Sequence, residues 1–112
     1  MDAFELADLV GRRNQSDSSY LEFLRVSSLS VGLYVLPAGA IDQQQPHTED
    51  EVYYVISGRG FVQVGAESRA VEAGTIVFVK AGVEHRFHSI IEDLTLLVFF
   101  APAEYSLAPD RS

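Results

Sequence analysis

The chain has 112 residues, of which 47% are hydrophobic, and a formal net charge of −8. This length and apolar content predict one domain with a true core and exclude a disordered chain. The excess of acidic residues repels phosphate backbones and anionic lipids, so we expect neither a nucleic-acid partner nor a membrane partner. The absence of cysteine excludes disulfides and thiolate ligands, which leaves nitrogen and oxygen donors for any metal ion.

Residues 1–19 are predicted to form a short helix followed by a linker. Apolar residues recur at helical spacing over residues 3–11, and Gly11 is expected to end the helix. The polar stretch from Arg12 to Ser19 is typical of a linker. The N-terminus lacks the basic and apolar regions of a signal peptide, so we expect a cytoplasmic protein. The apolar positions of the predicted helix are Phe4, Ala7 and Val10.

Residues 20–102 are predicted to form a barrel of short β-strands. Strand-forming residues cluster in short segments, and turn-forming residues such as Gly58 and Gly60 separate them. Short strands at regular spacing without intervening helices indicate an all-β sandwich or barrel. Residues 103–112 are predicted to form a surface tail. The predicted strands are residues 20–27, 30–36, 51–57, 60–64, 68–72, 75–79, 85–91 and 94–101.

Two segments framed by glycines carry the side chains that bind metal ions well. The first contains, in order, Gly39, Gln45, His47, Glu51 and Gly58. The second contains Gly74, Lys80, Gly82, His85 and Ser89. Two imidazoles and one carboxylate suit a divalent first-row metal ion with open positions for water or substrate. Residues 45, 47 and 51 share one face if their segment is extended, whereas His85 must come from a different strand.

Each candidate ligand has a simpler interpretation. His47 and His85 are ordinary histidines in that interpretation, but the chain has only 3 histidines and two of them occupy these positions. In the simpler interpretation Glu51 belongs to a solvated acidic run. A carboxylate that points into a barrel, however, needs a cation to offset its desolvation. For Gln45 two roles stay open: its amide oxygen binds the metal ion, or it hydrogen-bonds to a metal-bound water.

Three neighbouring residues are assigned to other environments. Glu49 precedes a predicted strand, so we expect it to be solvated. His88 has the opposite strand parity to His85 and is expected on the outer surface or at an interface. Lys80 is expected in a solvated loop, with contact to an anionic ligand at the mouth of the barrel as the alternative.

The two segments resemble the motifs of the cupin superfamily. Those motifs read G-x5-H-x-H-x3/4-E-x6-G and G-x5-P-x-G-x2-H-x3-N, and the resemblance covers about residues 25–101. The chain departs from them at three positions, where Gln45, Lys80 and Ser89 replace histidine, proline and asparagine. The glutamine makes the set similar to that of type I phosphomannose isomerases, which hold zinc with Gln, two His and Glu.

The resemblance implies a single-domain jelly-roll β-barrel with a metal site inside. His47, Glu51 and His85 would be the metal ligands, with Gln45 as a possible fourth. The ion would be a divalent metal, namely Fe, Mn, Zn, Ni or Cu. The cavity around a small-molecule ligand or substrate is expected to be lined by Tyr53, Val55 and Phe87.

Three functions are consistent with these sequence features. The first is a small metalloenzyme, dioxygenase-like or isomerase-like, and the second is a non-catalytic binding or sensing cupin with a structural metal ion. The third, an interaction protein with a vestigial site, is disfavoured by the retained His47, Glu51 and His85. Similar cupins often pair their barrels, and the polar joint at residues 12–19 would let an N-terminal segment exchange, so we expect a homodimer.

Overall fold

The structure, a computed structural model, describes residues 1–43 and 46–107. This part of the chain contains one helix and six strands, and all strand pairs are antiparallel. None of its helices is long and apolar enough to cross a membrane. The elements are α1 (Leu6–Asn14), β1 (Tyr20–Val26), β2 (Leu29–Leu36), β3 (Asp50–Val64), β4 (Glu67–Glu72), β5 (Ile76–Val79) and β6 (His85–Ala101).

Strands β3 and β6 are the two longest strands and pair with each other inside the sheet. They pair from Asp50 opposite Ala101 to Val64 opposite His85, and the sheet order is β1-β2-β6-β3-β4 with β5 on β3. The register shifts between Val55 and Phe61, and such irregularities bend a strand. The bend folds the two halves of the sheet towards each other around a common interior. The predicted all-β jelly roll with a short N-terminal helix is therefore confirmed.

The predicted turn at residues 57–60 is wrong, because β3 runs through it without a break. Gly58 has a φ of +97°, and a Cβ built on it would lie 2.1 Å from the carbonyl oxygen of Asp93 on β6. The glycine therefore permits a bulge where two strands approach closely, not a chain reversal. The predicted break after residue 91 is also absent, because β6 continues through the region that pairs with the irregular part of β3.

The helix lies further along the chain than predicted. It begins at Leu6 and includes Gly11, and Leu9 is its buried residue. A Cβ built on Gly11 would meet nothing within 4 Å, so this glycine sits on an open surface and does not end the helix. Arg12 and Arg13 occupy the last turn, where cations interact favourably with the helix dipole. The linker is correspondingly shorter than residues 12–19.

The core lies between the two bent halves of the sheet. Burial alternates along β3 and along the end of β6, so every second side chain points inward. The buried hydrophobic residues are Leu36, Tyr53, Val55, Val62, Val71, Val77, Val79, Phe87, Ile90, Leu94, Leu96, Val98 and Phe100.

The connection from β2 to β3 is tied to the barrel by Asp42. This carboxylate is buried and accepts a hydrogen bond from the Phe87 N–H (2.8 Å) and another from the Tyr34 hydroxyl (2.8 Å). Because these donors lie on β6 and β2, Asp42 ties the start of this connection to both strands.

Candidate metal centre

The first residues of β3 and β6, together with the loop before β3, bring His47, Glu51 and His85 together. Glu51 is the second residue of β3 and points inward, and His85 is the first residue of β6. The folding of the sheet places these two residues side by side. His47 shortly precedes β3, and its carbonyl oxygen accepts a hydrogen bond from the Gly82 N–H (2.7 Å). The loop that carries His47 is thereby bonded to the turn that leads into His85.

The three side chains are buried and close together. One ligand atom from each lies within 4.8 Å of the other two. Glu51 Oε1 is 3.0 Å from His85 Nε2 and 3.6 Å from His47 Nδ1. Ligands bonded at about 2.1 Å to one metal ion lie about 3–4 Å from one another, so only small side-chain shifts separate this arrangement from a coordination shell.

The His85 ring presents its Nε2 atom to Glu51. Its Nδ1 atom is 3.0 Å from the carbonyl oxygen of Val83, which can only accept, so Nδ1 carries a proton and donates it. Burial lowers the pKa of His85, but the adjacent Glu51 carboxylate and the Val83 carbonyl outweigh burial and raise this pKa above its ordinary value. The site thus attracts positive charge at Nε2, either as a proton or as a metal ion.

Unpartnered polar atoms show that the three residues fit a metal ion. In the described part of the chain, His47 Nδ1, both Glu51 carboxylate oxygens and His85 Nε2 are buried without a hydrogen bond of acceptable geometry. Leaving a buried polar group unsatisfied costs about 1–3 kcal/mol, and more for a charged group. A divalent ion coordinated by these nitrogen and oxygen atoms would satisfy them together.

Glu104 is a further ionisable residue at the site, and the sequence did not predict it. Its Oε2 atom lies 2.9 Å from His47 Nε2, and its side chain is 12% exposed. The residue belongs to the predicted surface tail, but the chain turns back over the site after β6, and Ala103 is buried. The prediction of a surface tail is therefore wrong for residues 103 and 104. No motif could have located Glu104, because its position depends on the path of the chain.

Glu49 is buried, so the prediction that it is solvated is wrong. Its side chain is hydrogen-bonded to Thr48 and accepts from the backbone N–H groups of Tyr105 (2.6 Å) and Leu107 (3.0 Å). Burial raises the pKa of Glu49, but these hydrogen bonds outweigh burial and hold the pKa below its ordinary value. Glu49 is the anchor of the C-terminal segment and lies outside the group formed by His47, Glu51 and His85.

A cavity of about 370 Å³ opens beside the group. Tyr20 packs over Gly32, where a Cβ would lie 2.1 Å from its ring, and its buried hydroxyl has no hydrogen-bond partner among the described residues. Burial, followed by the Glu104 charge, raises the pKa of Tyr20, so its hydroxyl stays protonated. A smaller cleft of about 270 Å³ lies next to His85. The residues that line the larger cavity are Tyr20, Tyr34, Gln43, His47, Glu51, Val98, Phe100, Glu104 and Tyr105.

The residues predicted to line the cavity lie in the core behind the site. Tyr53, Val55 and Phe87 are at most 1% exposed, and the cavity walls are formed by other residues. Tyr53 nevertheless supports the site, because its ring packs 5.9 Å from the His85 ring. Sequence alternation identified the inward-facing positions but did not reveal which inward positions border the open space.

The other candidates from the sequence are Gln45, His88 and Lys80. Gln45 lies outside the described residues, so its role stays a prediction. His88 stacks on Phe61 and lies 2.9 Å from Ser68 Oγ, away from the group, as its strand parity predicts. Lys80 is exposed.

Comparisons with known proteins agree with this architecture. The profile of the cupin domain family Cupin_2 matches residues 32–100, so the chain belongs to the cupin family. An uncharacterized protein of Streptomyces coelicolor is 52% identical over 104 residues, which cover 93% of this chain and 99% of that protein. The crystal structure of TT1209 from Thermus thermophilus superposes with a TM-score of 0.77 at 28% identity, covering 92% of this chain and 99% of that one.

A more distant relative has a named activity. Acireductone dioxygenase 2 of Arabidopsis thaliana is 27% identical over 85 residues. The match covers 71% of this chain but only 44% of the plant protein, so the two share less than half of the plant protein's length.

Proposed function

We propose that this cupin is a small metalloenzyme that binds a divalent first-row metal ion through His47, Glu51 and His85 and acts on a small molecule in the adjacent cavity. The observation that carries the proposal is the convergence of two imidazole nitrogens and a buried carboxylate, none of which has another hydrogen-bond partner among the described residues. Such an ion polarises bound oxygen atoms or, as iron, supports oxygen chemistry.

The cavity supplies the remaining features of a small-molecule site. Val98 and Phe100 give it an apolar wall, and Tyr20 and Tyr34 give it phenol groups. The pKa values of both tyrosines are raised, chiefly by burial, so these groups remain protonated. They therefore serve to orient a ligand as hydrogen-bonding groups and not to remove a proton. The distant similarity to acireductone dioxygenase favours a dioxygenase-like reaction over an isomerase-like one.

A binding or sensing protein with a structural metal ion is the second candidate. It is favoured by the absence of an evident general base among the described residues of the cavity. Tyr53 is 0% exposed, and the Glu104 carboxylate is engaged with His47. On this alternative the metal ion anchors a ligand and no turnover follows.

Elemental analysis of protein purified without chelators tests the proposal. We expect one equivalent of a first-row metal per chain, either as purified or after addition of Fe(II), Mn(II) or Zn(II) under anaerobic conditions. Oxygen uptake by the iron-loaded protein in a screen of small enediols and hydroxy ketones would favour the enzyme, whereas ligand binding without uptake would favour the binding protein. A protein that holds none of these ions would contradict both.

A further inference from the structure

The C-terminal segment, residues 102–107, reaches the candidate metal centre through Glu104. The carboxylate lies 2.9 Å from His47 Nε2, and both side chains are largely buried, at 12% and 9% exposure. A carboxylate can only accept a hydrogen bond, so His47 Nε2 carries the proton of this contact. The other ring nitrogen, Nδ1, is then the one that faces Glu51 Oε1 at 3.6 Å, and it has no hydrogen-bond partner in the described chain.

The two histidines are held in the same manner. His85 donates its Nδ1–H to the Val83 carbonyl and presents Nε2 to Glu51. His47 donates its Nε2–H to Glu104 and presents Nδ1 to Glu51. In both rings the outer nitrogen is fixed by an acceptor and the inner nitrogen is left for the site. Metal-binding histidines usually have this second acceptor, which fixes the tautomer and raises the basicity of the ligand nitrogen.

The backbone around Glu104 is fixed on both sides of the contact. The Glu104 N–H donates to Ser30 Oγ (2.8 Å), and the Glu104 carbonyl oxygen accepts from the Arg25 guanidinium (2.8 Å). The next residues are held by Glu49, which accepts from the N–H groups of Tyr105 and Leu107. These four hydrogen bonds to three separate parts of the chain place the carboxylate against His47, and a loose tail would not have them.

We propose that Glu104 is a positioning residue, which fixes His47 in the Nε2–H tautomer and orients its Nδ1 atom towards Glu51. The role of this orientation in metal binding rests on the proposed function, whereas the tautomer itself does not. Glu104 lies outside both glycine-framed segments and contacts His47 from the C-terminal segment. This role would make the C-terminal segment part of the site.

Two substitutions separate this role from a general effect of charge. Glu104→Ala removes the acceptor, while Glu104→Gln removes the charge but keeps an amide oxygen that can accept from His47. With Zn(II) as the probe in calorimetric titration, we expect Glu104→Ala to weaken binding by about 10- to 100-fold, the range typical of lost outer partners of metal-binding histidines. Glu104→Gln should recover most of this loss.

Nitrogen-15 NMR of the histidine rings gives a second measurement that needs no metal ion. In the metal-free protein, His47 should be the Nε2–H tautomer in wild type and in Glu104→Gln, and this preference should disappear in Glu104→Ala. An unchanged tautomer in Glu104→Ala would overturn the proposal. So would equal Zn(II) affinities of the alanine and glutamine variants, because a direct ligand or a purely electrostatic effect would give that result. Wild-type protein that binds no Zn(II) would instead contradict the proposed function and leave the tautomer measurement to decide this inference.

Discussion

His85 and His88 lie on the same strand but face different environments. His85 points inward to Glu51, whereas His88 stacks on Phe61. We therefore expect His85→Ala to lower the bound metal to well below one equivalent and His88→Ala to leave it unchanged. Elemental analysis of the two variants, purified side by side without chelators, makes the comparison. Equal metal content in His85→Ala and wild type would reject the assignment of the site.

Tyr34 gives the protein a predictable response to alkaline pH. Burial, followed by the Asp42 charge, raises the pKa of Tyr34 above its ordinary value of 10.0. Above about pH 10 the unfolded chain loses the Tyr34 proton while the folded protein keeps it. The contribution of Tyr34 to the free energy of unfolding is therefore complete below about pH 10 and declines as the pH rises.

The variant Tyr34→Phe tests that sign. At neutral pH it should be less stable than wild type by about 1–2 kcal/mol, because Asp42 loses a hydrogen bond from the phenol. Since phenylalanine does not ionise, the difference should shrink between about pH 8 and about pH 11. Urea denaturation at both pH values measures it. A difference that stays constant would show that Tyr34 does not titrate differently in the folded state.

The sequence was sufficient for some site residues and insufficient for others. The spacing within the two glycine-framed segments predicted that His47, Glu51 and His85 converge, because strand parity determines which way such positions point, and the structure brings the three together. Glu104 and Glu49 were missed because their environment depends on contacts between distant parts of the chain. The hydrogen bond from Tyr105 to Glu49, for example, joins residues 56 positions apart. No local pattern contains that information.

At the scale of the elements, the positions of the strands were predicted better than their continuity. Clusters of strand-forming residues located all the strands of the described chain, and the structure joins two pairs of predicted strands into β3 and β6. A glycine in a bulge and a glycine in a turn look alike in the sequence, because both use the same freedom of the backbone. The difference lies in the neighbouring strand, as at Gly58, whose Cα faces the backbone of Asp93.

Two glycine-to-alanine substitutions should therefore have opposite effects. Gly58→Ala combines a left-handed φ, which costs about 1–2 kcal/mol in a residue with a Cβ, with a clash against the Asp93 carbonyl, so we expect a total loss above about 2 kcal/mol. Gly11→Ala lies in a helix with open space around it and should stabilise the protein by about 0.5–1 kcal/mol. Urea denaturation compares the two. A destabilising Gly11→Ala would indicate that α1 contacts a surface absent from the isolated chain.

For the whole molecule, metal binding and folding should be coupled. A ligand that binds only the folded state stabilises it by about 2.7 kcal/mol at a concentration one hundred times its Kd. Removal of the metal ion by a chelator should therefore lower the melting temperature, by several degrees for a domain of this size. His85→Ala is the control, because its melting temperature should not respond to added metal ion. An unchanged wild-type melting temperature after verified metal removal would show that the site contributes little to stability.

An apolar patch on the outside of the sheet bears on the expected homodimer. Residues on β3, β5 and β6 lie next to one another in register and face away from the core. Among them Ile76 and Phe78 are 67% and 59% exposed. Soluble monomers rarely expose large contiguous apolar patches, and a two-fold dimer would bury the same patch on both chains. The members of this patch are Val52, Tyr54, Ile76, Phe78, Leu97 and Phe99.

We predict that a second copy of the chain covers this patch. Phe78→Asp should convert a wild-type dimer into a monomer at micromolar concentration, because a dimer would have to bury two unpaired carboxylates. Ile91→Asp is a matched control, since Ile91 is also 59% exposed but lies outside the patch. Sedimentation velocity distinguishes the species. The N-terminal segment packs on its own chain through Leu9 of α1 and through the Phe4 ring before it, whose centroid lies 5.0 Å from that of Phe23. The patch alone would therefore support the pairing without any exchange of N-terminal segments. A monomeric wild type, or equal effects of the two substitutions, would rule out this interface.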